Sequence, residues 1–467
     1  MDTVFAGWAC LFNRNTTEIN TMAVMMQAFY WDAPKNEKKE GEWWNFVAEK
    51  VEDLSKAGIN ALWLPPVSKG SSNQSMGYDP YDYFDLGDFD QKGGVKTFFG
   101  NRAELQALIA KAHEHNIGLY ADMVINHNSG ADEEEVNPLD GQKRWTKFAP
   151  KSGRFPRDWN CFHPSRYERV MMPDEENYAG FPHLCHRNPV VYTAMFDYAR
   201  MLIEELGFDG FRFDFVKGFG AWMIGILSKY RYVKDGAEFM PYVVGEYWSG
   251  AEDINAWIDK VNALTDNQIS AFDFALRYKL KDVCDTPNYD LRNLTDDGAV
   301  VMKRPMHAAT FVDNHDMGDN VIVNDKMMAY SFIMVHEGYP CIFWYDYYNN
   351  GLARPGTPNG IDALIQAHVK YAGGDSQILH ADPDLYIMQR VGWKDDKTEQ
   401  PGLIYVLNNL GNQWSGTSVK TQWKNQKFAP IAWDGHDTAH PDERTTDGDG
   451  NSEFPAPPRG FAIYAPV

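Results

Sequence analysis

Four short polar clusters stand where apolar runs end: Asp122-Met-Val-Ile-Asn126-His127, Phe211-Arg212-Phe-Asp214, Val243-Val-Gly-Glu246 and Phe311-Val-Asp-Asn-His315-Asp316. A single Asp at a strand end is most often a cap or a surface charge. Carboxylates on several strand ends, with an arginine and two histidines among them, point to chemistry if they converge on one rim. Cleavage of a glycosidic bond with retention of configuration needs one carboxyl as nucleophile and another as acid, about 5 Å apart. Adjacent strand ends supply such a separation, because paired strands lie about 4.8 Å apart.

The elements needed to position these clusters are legible in the pattern. Val24 to Tyr30 is apolar and strand-like, and the spacing of Trp43, Val47, Val51 and Leu54 predicts a helix over 42–57 that stops at Gly58. Ile59 to Leu64 is the next strand, closed by Pro65-Pro66. Leu105, Leu108, Ile109 and Ala112 share one face of a helix over 102–115, with Asn101 as its N-cap. Ile117 to Ile125 is again apolar. Further strands are expected at 208–214, 242–246, 269–273, 307–312 and 340–345. Helical patterns fall near 190–206, 219–231, 252–262, 274–283 and 323–336. Eight strands, each followed by a helix or a helix-sized gap, predict a (β/α)8 TIM barrel, an α/β fold whose active sites lie at the carboxyl ends of its strands.

Two stretches break the alternation. Residues 128–187 are aperiodic and rich in Pro, Arg and Asp, which predicts a subdomain inserted after strand 3. From residue 376 onward, Leu385 to Val391, Gly402 to Asn408 and Phe461 to Ala465 are short β-type runs separated by Gly, Asp and Asn, which predicts a C-terminal antiparallel β-sandwich. The expected organisation is a barrel over 22–127 and 188–375, the insert over 128–187, and an all-β domain over 376–467.

Composition narrows the function classes. The 467 residues carry 44 Lys+Arg against 65 Asp+Glu, a net charge of −21, which argues against a nucleic-acid partner. No apolar run approaches ~20 residues, so no membrane span is expected. The five cysteines, at 10, 161, 185, 284 and 341, are scattered and predict no disulfide framework. Aromatic residues reach 14%, a surplus that suits both core packing and flat sugar faces. Residues 4–12 are apolar but lack a basic leader, so 1–21 is expected to be a poorly structured extension, with Met22 an alternative start. A cytoplasmic protein is expected, or a secreted one whose signal is absent from this chain, and in either case a monomer.

The sequence resembles the α-amylase family of glycoside hydrolases from Met25-Met-Gln-Ala-Phe-Tyr-Trp-Asp32 through the last domain. The four signature segments occur in order as Asp122–His127, Gly210–Gly218, Gly245–Trp248 and Phe311–Asp316, and Gly180-Phe-Pro-His-Leu-Cys185 is most similar to the archaeal and plant-like branch. The resemblance implies Asp214 as the nucleophile, held ionised by Arg212 two residues earlier on the same strand face. It implies Glu246 as general acid and then base, with a pKa raised by burial and neighbouring carboxylates. Asp316 is implied as the third carboxylate, which grips sugar hydroxyls and favours the oxocarbenium-like transition state. His127 and His315 match hydroxyl-binding histidines, Tyr78 the ring beneath the sugar at the cleavage point, and Lys217 and Trp248 the leaving-group side. The implied activity is retaining, endo-acting hydrolysis of internal α-1,4 bonds in starch, glycogen and maltooligosaccharides. A 4-α-glucanotransferase or a maltooligosaccharide-forming relative would share these carboxylates, and a non-catalytic carbohydrate-binding barrel is the reading the intact carboxylates disfavour.

The resemblance also implies Ca2+ between insert and barrel, held by Asn126, Asp174 and the Gly218 carbonyl, with the Glu176 carbonyl in addition. The archaeal-like motif has an Asp where this chain has His183, and imidazole is a poor calcium ligand. Some archaeal relatives bind Zn2+ in the insert, for which His163 and Cys185 are available here, with His186 and Cys161 close in sequence. Asp132-Glu-Glu-Glu135 is expected to be a solvated loop and Asp447-Gly-Asp-Gly450 a turn cluster. Trp414, Trp423 and Trp433 are expected in sandwich packing.

Overall fold

The computed structural model describes residues 23–467 apart from 172–174, 177, 179, 235 and 396–398. The expected N-terminal extension, Met22 and Asp174 lie outside the described residues.

Eight strands alternate with helices and close into a parallel barrel: β1 (Met25–Gln27), β2 (Ala61–Leu64), β3 (Gly118–Met123), β4 (Gly210–Phe213), β5 (Tyr242–Gly245), β6 (Ile269–Phe272), β7 (Ala308–Phe311) and β8 (Tyr339–Phe343). Each strand pairs with the next, and β8 returns to β1 through Met25↔Cys341. These strands are buried on both faces, which is why they read as continuous apolar runs rather than alternating ones. They are shorter than the apolar runs because the run ends bend away as loops at the rims.

The helices obey their local signals. Helix Trp43–Ala57 stops at Gly58, whose φ of 105° suits a residue without a Cβ. Helix Arg102–Glu114 starts with a capping box: Asn101 Oδ1 accepts the Glu104 amide at 3.0 Å, and Glu104 Oε2 accepts the Asn101 amide at 2.9 Å. The pattern near 190–206 is a helix over Pro189–Arg200 that widens into π turns over Met201–Leu206. Helix Ile361–Tyr371 occupies the gap left after β8.

The insert between β3 and β4 holds a hairpin of Glu133–Val136 against Lys143–Lys147 and a 3-10 turn at Trp159–Cys161. The acidic run expected as a solvated loop is therefore one strand of that hairpin. Exposed cross-strand ion pairs accompany the backbone pairing, with Glu133 on Lys147 at 2.6 Å and Glu134 on Lys143 at 2.5 Å.

The C-terminal region forms a six-stranded antiparallel sheet in the order Ser376–Ala381, Leu385–Arg390, Leu403–Asn408, Gly460–Pro466, Lys427–Asp434, Arg444–Thr445. One face carries Leu385, Ile387, Ile404, Val406, Ala462 and Tyr464, which pack with Phe454 and Ala456 of a second sheet, Ser415–Lys420 paired with Asn451–Ala456. Trp423 and Trp433 border that packing. The other face, with Tyr386, Met388, Tyr405 and Ile463, joins the barrel core. Helix Lys326–Val335 is caught between the two and is buried along nearly its whole length, so it has no polar face. Asp447 caps a turn, accepting the Asp449 and Asn451 amides on Oδ1. Among the described residues no helix is long and apolar enough to cross a membrane.

Candidate active site

The parallel register sets the rim. Asp122 of β3 lies level with Arg212 of β4, and Phe213 of β4 lies level with Gly245 of β5. Asp214 and Glu246 each follow by one residue, so both emerge at the same height on neighbouring strands. Arg212 is buried between them. Its Nη1 bonds Asp214 Oδ1 at 2.7 Å and Asp122 Oδ1 at 2.8 Å, and its Nη2 lies 2.9 Å from Glu246 Oε2. Trp63 lies under the guanidinium, 4.9 Å from ring centroid to Cζ, and its Nε1 donates to Asp122 Oδ2 at 3.0 Å.

Glu246 is fixed a second time by the Phe215 amide, which donates to Oε2 at 2.8 Å. Phe215 adopts a left-handed backbone, φ 43° and ψ 53°, to aim that N–H. Burial lifts Glu246 well above the ordinary carboxylate range; Arg212 opposes the shift, and Asp214 and Asp316 add to it. Burial also raises Asp122 and Asp316.

Asp316 completes the carboxylate set from the loop after β7. Its amide donates to Asn314 Oδ1 at 2.9 Å, and its Oδ2 lies 3.2 Å from His315 Nε2. Gln27 Nε2 donates to His315 Nδ1 at 2.9 Å, which leaves the ring proton on Nε2, a buried nitrogen that has no hydrogen-bond partner among the described residues. Burial, with Arg212 close by, keeps His315 well below its usual pKa and so neutral.

Three near-parallel rings flank these groups. Tyr78 and His315 stack at 5.0 Å and 19°, and Trp31 lies 6.2 Å from His315 at 7° and 6.0 Å from Tyr78 at 17°. Tyr78 is anchored by donating to Asp122 Oδ2 at 2.8 Å. Trp31 is 49% exposed beside the site and was not among the residues singled out by sequence. Asp122, whose carboxylate holds Arg212, Trp63 and Tyr78 together, is the second omission. Its place at the end of a buried strand was the available signal.

The remaining expected residues take these positions. His127 Nε2 donates to the Tyr78 carbonyl at 2.9 Å, and the ring stacks on Tyr178 at 4.5 Å and Phe181 at 5.0 Å. Lys217 Nζ pairs with Glu176 Oε1 at 2.5 Å and donates to the Trp248 carbonyl at 3.3 Å, tying the insert to the rim. Trp248 stacks on Phe274 at 4.8 Å and donates from Nε1 to Tyr278 Oη at 2.9 Å.

The calcium ligands can be tested on the donor groups themselves. His127 Nδ1 takes the Asn126 amide nitrogen at 3.2 Å, leaving Asn126 Oδ1 buried without a hydrogen-bond partner. That oxygen faces Gly218, where any side chain would collide with it. Glu176 N donates to the Lys217 carbonyl at 2.7 Å, which brings the insert alongside. A buried, unpaired amide oxygen beside a glycine suits a hard cation. His183 contributes no oxygen: its Nε2 accepts the Tyr178 amide at 2.8 Å, and burial keeps the ring neutral.

A second cluster lies in the insert. Ligand atoms of His163, Glu168 and Cys185 fall within 4.8 Å of one another. The bridge Phe162↔Leu184 brings the two segments together, with the Cys185 amide donating to the Cys161 carbonyl at 2.8 Å. His186 instead bonds the Ile125 carbonyl. Cys161, Cys185, Cys284 and Cys341 are free and buried.

A barrel that carries Asp214 and Glu246 on neighbouring strand ends of its carboxyl rim, joined through one buried arginine, has the paired carboxyl groups that glycoside hydrolases use. The alpha amylase catalytic-domain family model matches residues 33–346 and the alpha-amylase C-terminal model residues 403–465. Glucan 1,4-alpha-maltohexaosidase from Bacillus sp. (strain 707) is 31% identical over 84% of this chain and 84% of its own length. Alpha-amylase from Geobacillus stearothermophilus is 30% identical over 95% and 86%. The crystal structure of an α-amylase from Geobacillus thermoleovorans complexed with acarbose covers 96% of this chain and 98% of that one, with a TM-score of 0.64 at 19% identity. The chain belongs to the α-amylase family of glycoside hydrolases.

Proposed function

We propose that this chain is a retaining, endo-acting α-amylase that hydrolyses internal α-1,4 bonds of starch, glycogen and maltooligosaccharides. One observation carries the reading: a single guanidinium bonds Asp214 and Glu246 on neighbouring strand ends. Two carboxyl groups that share one guanidinium from neighbouring strand ends support the short separation, about 5 Å, on which a retaining mechanism depends.

Asp214 attacks the anomeric carbon and forms the covalent glycosyl-enzyme, while Glu246 passes its proton to the leaving oxygen. Glu246 then takes a proton from water, which releases the sugar with its configuration retained. Asp316 and His315 grip hydroxyls of the ring being distorted, and Tyr78 and Trp31 offer flat faces to sugars on that side. Lys217 and Trp248 border the leaving-group side, and His127 holds the Tyr78 backbone in place.

The Asn126 side-chain oxygen, the Gly218 carbonyl, Asp174 and the Glu176 carbonyl would hold Ca2+, which when bound ties insert to barrel. His163, Glu168 and Cys185 would hold Zn2+ as a structural ion. We place domain limits at 128–187 for the insert and 376–467 for the C-terminal unit, with the barrel over 22–127 and 188–375.

The test is the product profile on soluble starch, with and without chelator. A spread of maltooligosaccharides from the earliest times supports the reading. Products longer than the substrate from maltotriose would instead assign glucanotransfer.

A further inference from the structure

The loop that carries His315 and Asp316 leaves β7 at Val312 and returns by Ile322, and one buried ion pair closes its neck. Arg277, on helix Phe274–Asp285, bonds Asp313 Oδ1 through Nη2 at 2.6 Å and donates through Nε to the Val312 carbonyl at 3.2 Å. The same Nη2 reaches the Asn320 carbonyl, at the end of a 3-10 turn on the returning side of the loop. Asp313 also accepts the Ile322 amide, 3.1 Å from Oδ2. Outgoing and returning segments are thus pinned to one guanidinium and one carboxylate, both buried.

The brace continues outward. Lys326 Nζ joins Asp313 Oδ2 at 2.8 Å to Asp346 Oδ1 at 2.7 Å, and Asp346 Oδ2 accepts the Tyr330 hydroxyl at 2.8 Å. Lys326 is the first residue of its helix, where the helix dipole disfavours a cation. Asp325 before it is left-handed, φ 44°, and does not cap the helix. Its carboxylate turns to Arg459 Nε at 2.7 Å and His436 Nε2 at 2.8 Å, both from the C-terminal region. Two adjacent residues depart from an ordinary helix start, and both departures serve this chain of contacts.

We propose that Asp313, Arg277 and Lys326 are positioning residues that hold Asp316 at the rim by closing the neck of its loop, with Arg459 extending the brace into the C-terminal domain. The proposal rests on the role given above to Asp316.

The test is a double-mutant cycle in the full chain, with kcat and KM measured on a chromogenic maltooligosaccharide for Asp313→Asn, Asp316→Asn and the pair. Asp313→Asn should lower kcat about ten- to a hundredfold, as displacement of a reacting group by about 1 Å does, and leave KM within about twofold. In the Asp316→Asn background the same change should alter kcat by less than about twofold, because its effect passes through Asp316. Unchanged kcat in folded Asp313→Asn, or an equal fractional loss in both backgrounds, would overturn the proposal. Should Asp313→Asn not fold, Lys326→Gln leaves the Arg277 pair in place and is judged by the same cycle, with a three- to tenfold loss expected, roughly. Wild-type kcat in Asp316→Asn alone would remove the role of Asp316 and the proposal with it; a collapse there with additive losses removes the proposal only.

Discussion

Phe215, the residue after Asp214, donates its amide to Glu246 Oε2 at 2.8 Å from a left-handed backbone with φ 43°. For a bulky residue that conformation costs about 1–2 kcal/mol, and it joins the nucleophile's segment directly to the acid. The acid is thereby oriented by main chain, while burial sets its proton affinity.

Because Glu246 is raised, it stays protonated at neutral pH, and activity should fall as rising pH removes that proton. A profile of kcat/KM against pH should show an alkaline limb. Glu246→Gln should lose about 10²- to 10⁴-fold in kcat on starch, with a smaller loss in the first step for an activated leaving group that needs no proton. Undiminished reducing-sugar release by Glu246→Gln would contradict the assignment.

Arg212 contacts Asp122, Asp214 and Glu246, so its geometry matters as much as its charge. Arg212→Lys keeps the charge but loses the fork and should lower kcat/KM by about 10²-fold. Arg212→Met leaves buried carboxylates without their partner and should cost about 3–5 kcal/mol in denaturant unfolding. Wild-type kinetics in the lysine variant would count against the shared-guanidinium site.

Trp31 presents an exposed ring nearly parallel to His315 and Tyr78. Trp31→Ala should raise KM for long maltooligosaccharides about three- to tenfold, the worth of one stacked ring, with kcat little changed. Equal KM values would show that sugars do not reach it.

Exhaustive chelation should lower both activity and Tm, and added Ca2+ should restore them, since an ion bound only by the folded chain stabilises it by mass action. Unchanged activity together with no metal in elemental analysis would remove the site at Asn126 and Gly218.

The barrel strands were legible because burial on both faces turns each into an apolar run, and the site because polar residues end those runs at Asn126, Asp214, Glu246 and Asp316. What escaped depended on folding at a distance. Trp31 follows Phe29 and Tyr30 in one aromatic stretch, and only the fold separates the exposed ring from the buried ones. His163 and Cys185 meet through the bridge Phe162↔Leu184, and Glu168 joins them with no local pattern to announce it. The hairpin over 133–147 is built from mostly charged, exposed residues, which leave no alternation of apolar residues to read. Asp313 reads as one letter of the Asp316 motif, and its partner Arg277 lies 36 residues away on a helix face.

The central claim is retaining hydrolysis through Asp214 and Glu246, and the most direct measurement is the anomeric form of the first product, followed by proton NMR during rapid hydrolysis of a maltooligosaccharide. The α-anomer should appear first and mutarotate afterwards. First appearance of the β-anomer would contradict the account.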